Sequence, residues 1–229
     1  MSLYLTILLC VIIIPLLFSF EKSVSFFKSW KYLIPSLLIT GFIFSAVDVI
    51  FASKGIWGFN SQYHSNIMIS GLPVEEILFF IIVPYASIFI HYVFLFYFPG
   101  VSLTDRMTKI ITLVLIALLL LIAAIFHNRT YTAFYSIFMA ALLLFGLSDK
   151  TRILNRFYLT YMIILVPFFI VNAILTGSFI EGEVIWYNNK EISGFRIFTI
   201  PGEDLIYGFS LIFMNLLLMS TFRKSIRTS

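Results

Sequence analysis

Cysteine is nearly absent: Cys10 is the single one in 229 residues, and it lies inside an apolar run. No disulfide, CxxC pair or thiolate metal site can be built within such a chain. Charged residues make up only 11%, against roughly 25% in an ordinary soluble domain, which excludes a soluble globular protein. There is no GxGxxG fingerprint for a flavin or nicotinamide. There is also no D-x-x-x-D or DDxxD pattern to hold Mg²⁺ on a diphosphate. The net charge is +4, but the basic residues fall between apolar segments and form no patch interleaved with aromatics, so no nucleic-acid partner is expected. His64 and His127 lack ligands at suitable spacing, and no metal is expected.

What the chain has is apolar length. Hydrophobic residues reach 61%, and the aromatics include 27 Phe, 12 Tyr and 3 Trp. A bilayer core needs about 20 helical residues per crossing. Seven runs qualify, near 3–20, 32–52, 77–98, 107–126, 130–147, 157–176 and 204–222. They are apolar all round, whereas barrel strands alternate over about ten residues, so the expected fold is an all-α, polytopic membrane protein forming one domain over 1–229. The first run has no basic residue before it and no A-x-A site after it, and reads as a retained helix rather than a signal peptide. The last run contains no lysine, which excludes a retinal Schiff base there.

Seven crossings sort the loops into two sets. One holds Lys22, Lys28, Lys31, Arg106, Lys109, Lys150, Arg152, Arg156, Arg223, Lys224 and Arg227; the other holds Lys54, Arg129, Lys190 and Arg196. This bias predicts a multi-pass protein of the cell membrane with the N-terminus outside and the C-terminus in the cytoplasm. The acidic residues Glu75, Glu76, Glu181, Glu183, Glu191, Glu203 and Asp204 collect at the outer face. Acids carry little topological weight, so this clustering calls for its own explanation.

An internal repeat supplies part of it. GIWGFN followed by GLPVEEILFF at 55–80 resembles EVIWYNN followed by TIPGEDLIYG at 183–208. The offset of 128 residues from Pro73 to Pro201 maps Glu75 onto Glu203, Glu76 onto Asp204 and Phe79 onto Tyr207. Trp57 and Trp186 match within one residue, and Val47-Asp48 matches Val171-Asn172 if the second loop is slightly longer. The pattern predicts two parallel three-helix repeats, about 1–98 and 130–222, joined by a connector helix at about 107–126, with both carboxylate pairs at one face.

Proline followed by acids before an apolar run is also an ordinary helix start. Its duplication before equivalent helices, and the cost of adjacent carboxylates at the edge of hydrocarbon, favour a function. Two neighbouring carboxyls do not ionise together readily, so one member of each pair can keep a proton to give, although the helix dipole favours the anions. Aromatic faces could stabilise a carbocation. Asp48 and Asn172 lie within the second and sixth helices, and Trp57 and Trp186 are pocket walls or interfacial anchors. His91, about 22 Å along its helix from Glu76, is read as structural.

LPVEEILFF and IPGEDLIYG resemble the signature of the small, flavin-independent integral-membrane lycopene cyclases, in the form that fuses two short subunits. The resemblance implies acid-initiated, redox-neutral cyclisation of the ends of lycopene, through γ-carotene to β-carotene, without a cofactor. It implies Glu75, Glu76, Glu203 and Asp204 as catalytic, with Glu75 and Glu203 as acids and the other two as coupled neighbours or proton acceptors. Phe79, Tyr207, Trp57, Trp186, Asp48 and Asn172 are expected around the substrate, in a cavity between helices 2, 3, 6 and 7. The expected partners are lycopene, γ-carotene, the bilayer, and a second copy or other carotenoid enzymes. Gly202, Asp204 and Tyr207 depart from Val74, Glu76 and Phe79, so the halves need not be equivalent. The rival reading is a transporter or ion pathway whose outer carboxylates bind a cation.

Overall fold

The computed structural model describes residues 1–149 and 151–228, the side chains of 226–228 excepted. Lys150 and the Arg227 side chain of the charge count lie outside the described residues. Seven α-helices are described: α1 Leu3–Phe18, α2 Trp30–Ser53, α3 Val74–Tyr97, α4 Asp105–Ile125, α5 Thr130–Ser148, α6 Leu154–Leu175 and α7 Glu203–Thr228. Six of them, α2 to α7, are long and apolar enough to cross a bilayer. α1 has 16 residues, short of the roughly 20 that a crossing needs. It is stopped by Ser19, whose hydroxyl turns back onto the Pro15 carbonyl at 2.6 Å and shares a 2.5 Å hydrogen bond with Tyr85.

Local chemistry sets the helix starts. Ser2 and Thr104 cap α1 and α4, each accepting a 3.2 Å hydrogen bond from the backbone N–H three residues on. Pro73 precedes α3, placing Glu75 and Glu76 in its first turn, and Glu203 and Asp204 open α7 in the same way. There acids complement the unpaired N–H groups.

α1 lies along α3, and α5 along α7; α2 packs on both α3 and α7, and α4 sits on the outside of α5. α6 meets α3 and reaches α7 through rings, Phe157 stacking on Phe213 at a centroid distance of 5.4 Å and packing at a tilt on Phe209 at 4.9 Å. One buried cluster gathers around Phe157, Phe213 and Leu143. A second, at the carboxylate end, gathers around Tyr4, Trp57, Phe80 and Tyr135. Phe42 is 77% exposed and Leu38 62%, a surface that suits lipid tails and would be a liability in water.

The end carrying the carboxylates is closed by two loops containing six short strands, which the all-helical expectation did not include. β1 (Trp57–Phe59) pairs antiparallel with β4 (Ile185–Tyr187), joining the α2–α3 loop to the α6–α7 loop. β2 (Met68–Ile69) pairs with β3 (Leu72–Pro73), and β5 (Arg196–Ile197) with β6 (Ile200–Pro201), as hairpins leading into α3 and α7. The hairpin turns hold Ser70 at φ 53° and Phe198 at φ 56°, 128 residues apart and both left-handed.

Candidate active site

Each helix start that carries an acid pair splits the pair between two directions. Glu75 turns towards its own loop. It accepts from Ser2 Oγ at 2.7 Å, from the Ser65 backbone N–H at 2.7 Å and from Ser65 Oγ at 3.1 Å. Glu203 does the same, accepting from Thr132 Oγ1 at 2.5 Å and from the Ser193 N–H at 2.6 Å. Ser65 and Ser193 are again 128 residues apart. Both carboxylates are buried, and neither lines a cavity described below. Their geometry is that of clamps, fastening a loop to the first turn of a helix.

Glu76 and Asp204 turn inward. Glu76, 4% exposed, accepts from the phenol of Tyr4 at 2.6 Å. Asp204, 3% exposed, accepts from Tyr131 at 2.7 Å and from Tyr187 at 3.1 Å. Tyr4 and Tyr131 are each the second residue of a helix, α1 and α5, so the two tyrosine–carboxylate contacts are equivalent. Burial foremost, and then the charge of Asp204, push the Tyr187 phenol above its ordinary range, which keeps its proton in place as a donor.

Both inward carboxylates line one cavity of about 520 Å³ whose walls are otherwise almost entirely apolar. Asp48, Trp57, Phe79, Asn172 and Tyr207 line it too, and so do Phe59 and Tyr187. Its walls come from α1, α3, α6 and α7; α2 contributes only Asp48 and α5 only Tyr131. The expected placement between helices 2, 3, 6 and 7 is corrected in this respect. α2 is displaced from the wall because Phe44 fills the space beside it, packing on Tyr207 at 5.3 Å and Phe80 at 5.9 Å.

Trp186 does not line the cavity and is 38% exposed. The reason is strand alternation. The 128-residue offset matches Trp57 to Ile185, and a slip of one residue along a strand sends a side chain to the other face. Trp57 therefore points inward opposite Tyr187, whereas Trp186 lies against Gly58, where a Cβ would collide with its ring. Aromatic faces crowd the carboxylates: Trp57 and Tyr131 meet edge to face at 4.9 Å, and Tyr131 stacks on Tyr187 at 5.8 Å.

Tyr4, Tyr131 and Tyr187 were missed as site residues in the sequence. The first two were detectable, because extending the repeat to the first and fifth helices brings Tyr4 and Tyr131 together at an offset of 127. His91 lies away from this cavity, buried and 2.8 Å from Thr160 Oγ1. Among the described residues no group of three or more His, Cys, Asp or Glu side chains could hold a metal ion.

The description of the lycopene cyclase family matches this chain over residues 1–94 and 128–222, the two stretches that carry the paired carboxylate motifs. The chain belongs to the lycopene cyclase family. No curated protein and no solved structure matches it. Membership makes this cyclase a membrane protein of carotenoid biosynthesis, with a lycopene-like, lipid-soluble polyene as substrate. The unmatched stretch between the two segments contains α4.

Proposed function

We propose that this cyclase converts the open ends of lycopene to β-ionone rings, through γ-carotene to β-carotene, with Glu76 and Asp204 handling the protons. The observation that carries the reading is that these two carboxyls, from equivalent helix starts, face one apolar, aromatic cavity while Glu75 and Glu203 are tied to loops. The acid role expected of Glu75 and Glu203 is accordingly reassigned to the inward pair. Asp204 accepts two phenol donors and Glu76 one. More donors hold an anion better, so Asp204 is assigned as the base and Glu76 as the acid.

In this scheme Glu76 delivers its proton to C2 of the terminal alkene. The resulting tertiary cation at C1 is attacked by the C5–C6 double bond, which closes the ring and moves the charge to C5. Asp204 removes the C6 proton, leaving the C5–C6 alkene of a β-ionone ring. The proton then passes back to Glu76, and no electrons are gained or lost overall. Rings of Trp57, Tyr207 and Phe79 line the space in which the cation would form. No cofactor is required by this chemistry.

The reading extends to the whole chain. It takes α1 as a seventh crossing, the N-terminus as outside and the C-terminus as cytoplasmic, on the distribution of Lys and Arg. It takes residues 1–229 as a single domain of two parallel three-helix repeats joined by α4, supported by the matched tyrosine, serine and glutamate contacts. An ion pathway is the weaker reading, because most of the side chains that line the cavity away from the carboxylates are apolar.

The test is expression in a lycopene-accumulating host, followed by chromatography and absorption spectra of the pigments. γ- or β-carotene is expected. Unchanged lycopene in membranes that hold well-inserted protein would overturn the assignment.

A further inference from the structure

The cavity has a side on which the two halves of the chain differ. It is bounded there by α1 and α6, through Ile7, Cys10, Val11 and Ile14 on one rim and Phe168 and Ile170 on the other. Ile14 and Ile170 are each 61% exposed although they also line the cavity, so the gap between α1 and α6 opens on the apolar flank of the bundle. The equivalent gap lies between α5 and α2. With Tyr4 matched to Tyr131, Ile7 corresponds to Phe134, Leu8 to Tyr135 and Val11 to Phe138; with Asp48 matched to Asn172, Phe168 corresponds to Phe44.

Three of these four positions carry a larger ring in the second half, and together with Phe44 those rings fill the second gap. Phe44, 1% exposed, contacts Tyr135 at 6.1 Å and Phe138 at 5.8 Å. Phe134 stacks on Phe138 at 6.0 Å with only 10° between the planes, and Tyr135 reaches Tyr207 at 4.8 Å. A close-packed ring cluster of this kind leaves no room for a polyene chain. Along α1, branched aliphatic side chains stand in the same places and the space stays open.

Resting on the cyclase reading above, we infer that the α1–α6 gap is the mouth through which one end of the polyene enters from the bilayer, while the α2–α5 gap is sealed by Phe44, Phe134, Tyr135 and Phe138. Both acid motifs then serve the same end of the substrate. Each visit closes one ring, and the monocyclic product leaves and turns round before its second end can react.

Two experiments test this. In the first, membranes holding the wild-type protein receive deuterated lycopene with an excess of unlabelled γ-carotene. The expected early β-carotene is mostly unlabelled, with deuterated γ-carotene accumulating free. Early β-carotene that is fully deuterated would overturn one-ended action. In the second, Val11→Phe places on α1 the ring that α5 carries, and Ile170→Trp narrows the mouth from the opposite rim. Each is expected to slow lycopene cyclisation at least tenfold while a membrane-inserted, monodisperse protein is recovered. If one variant fails to insert, the other carries the test, and full activity in an inserted variant would overturn the mouth. A wild-type protein that leaves lycopene wholly unreacted would overturn the cyclase reading itself, a result distinct from either of these.

Discussion

The phenol of Tyr131 donates a 2.7 Å hydrogen bond to Asp204, 73 residues along the chain. A hydrogen bond to a charged group contributes about 1.5 to 3 kcal/mol, so its removal should be felt at the carboxylate proposed to take the C6 proton. Tyr131→Phe keeps the ring and its contacts with Trp57 and Tyr187. Its turnover is expected to fall roughly 10- to 100-fold, with a comparatively small change in KM. Tyr4→Phe should act in the same direction through Glu76. Initial rates of ring formation in solubilised protein would check this, and wild-type turnover in both variants would remove the tyrosines from the mechanism.

The two members of each acid pair should fail differently. General acid–base catalysis contributes about 10² to 10⁴ in rate, so Glu76→Gln and Asp204→Asn are expected to lose at least 100-fold in turnover. Their folding should be intact, because each substitution preserves shape in a cavity wall. Glu75→Gln and Glu203→Gln remove charge from clamps on Ser65 and Ser193 and should destabilise the protein by about 1 to 3 kcal/mol. Their activity per folded molecule is expected to stay within tenfold of wild type. Thermal melts paired with pigment assays separate the two behaviours; the reverse pattern would return the acid role to Glu75 and Glu203.

At the opposite end of the bundle, Asp149 ties the end of α5 to α7 through Lys224 Nζ at 2.7 Å, with further hydrogen bonds from Thr151 and Ser220. Partial burial raises the Asp149 carboxyl, but the Lys224 bond and the hydroxyl donors outweigh it and hold it below its ordinary range. A carboxylate depressed in the folded state adds stability above its unfolded value of about 3.9 and loses it as pH falls through the folded value. Asp149→Asn should therefore lower the melting temperature at pH 7, with a deficit that starts to shrink below about pH 3.9 and fades as pH falls through the depressed folded value. Lys224 is half exposed, so the loss should stay below about 1 kcal/mol. A deficit that stays constant as the pH is lowered below about 3.9 would contradict the ion-pair account.

The helices and the acid motifs were legible in the sequence because a bilayer admits few alternatives: each run of 16 or more apolar residues became a helix. The ends were less legible. α3 begins at Val74 and not near 77, because the acids that read as flanking residues are its first turn. Within the motifs, the sequence could not say which acid faces inward, since adjacent helical positions differ by about 100° and only packing chooses between them. Trp186 was misplaced by one residue of strand register, and Tyr187 took the inward position that the tryptophan was expected to hold. The asymmetry between Val11 and Phe138 was written in the chain, but it gains meaning only once α1 and α5 are seen to flank equivalent gaps.

Asp48 is the remaining carboxyl of the cavity wall, and its setting differs from those of Glu76 and Asp204. It is 1% exposed and its Oδ1 has no hydrogen-bond partner. A buried polar oxygen without a donor costs about 1 to 3 kcal/mol, a strain that natural chains retain chiefly where it serves a function. Its counterpart in the second half, Asn172, spends its amide on the Phe168 carbonyl at 3.1 Å. Asp48→Asn should therefore raise the melting temperature by a few degrees and slow turnover roughly tenfold, since Asp48 shares the cavity wall with Glu76 and Asp204. Melting curves and single-turnover rates measured on the same preparation would decide it. A stabilised variant with undiminished turnover would leave Asp48 as a packing residue and confine proton handling to Glu76 and Asp204.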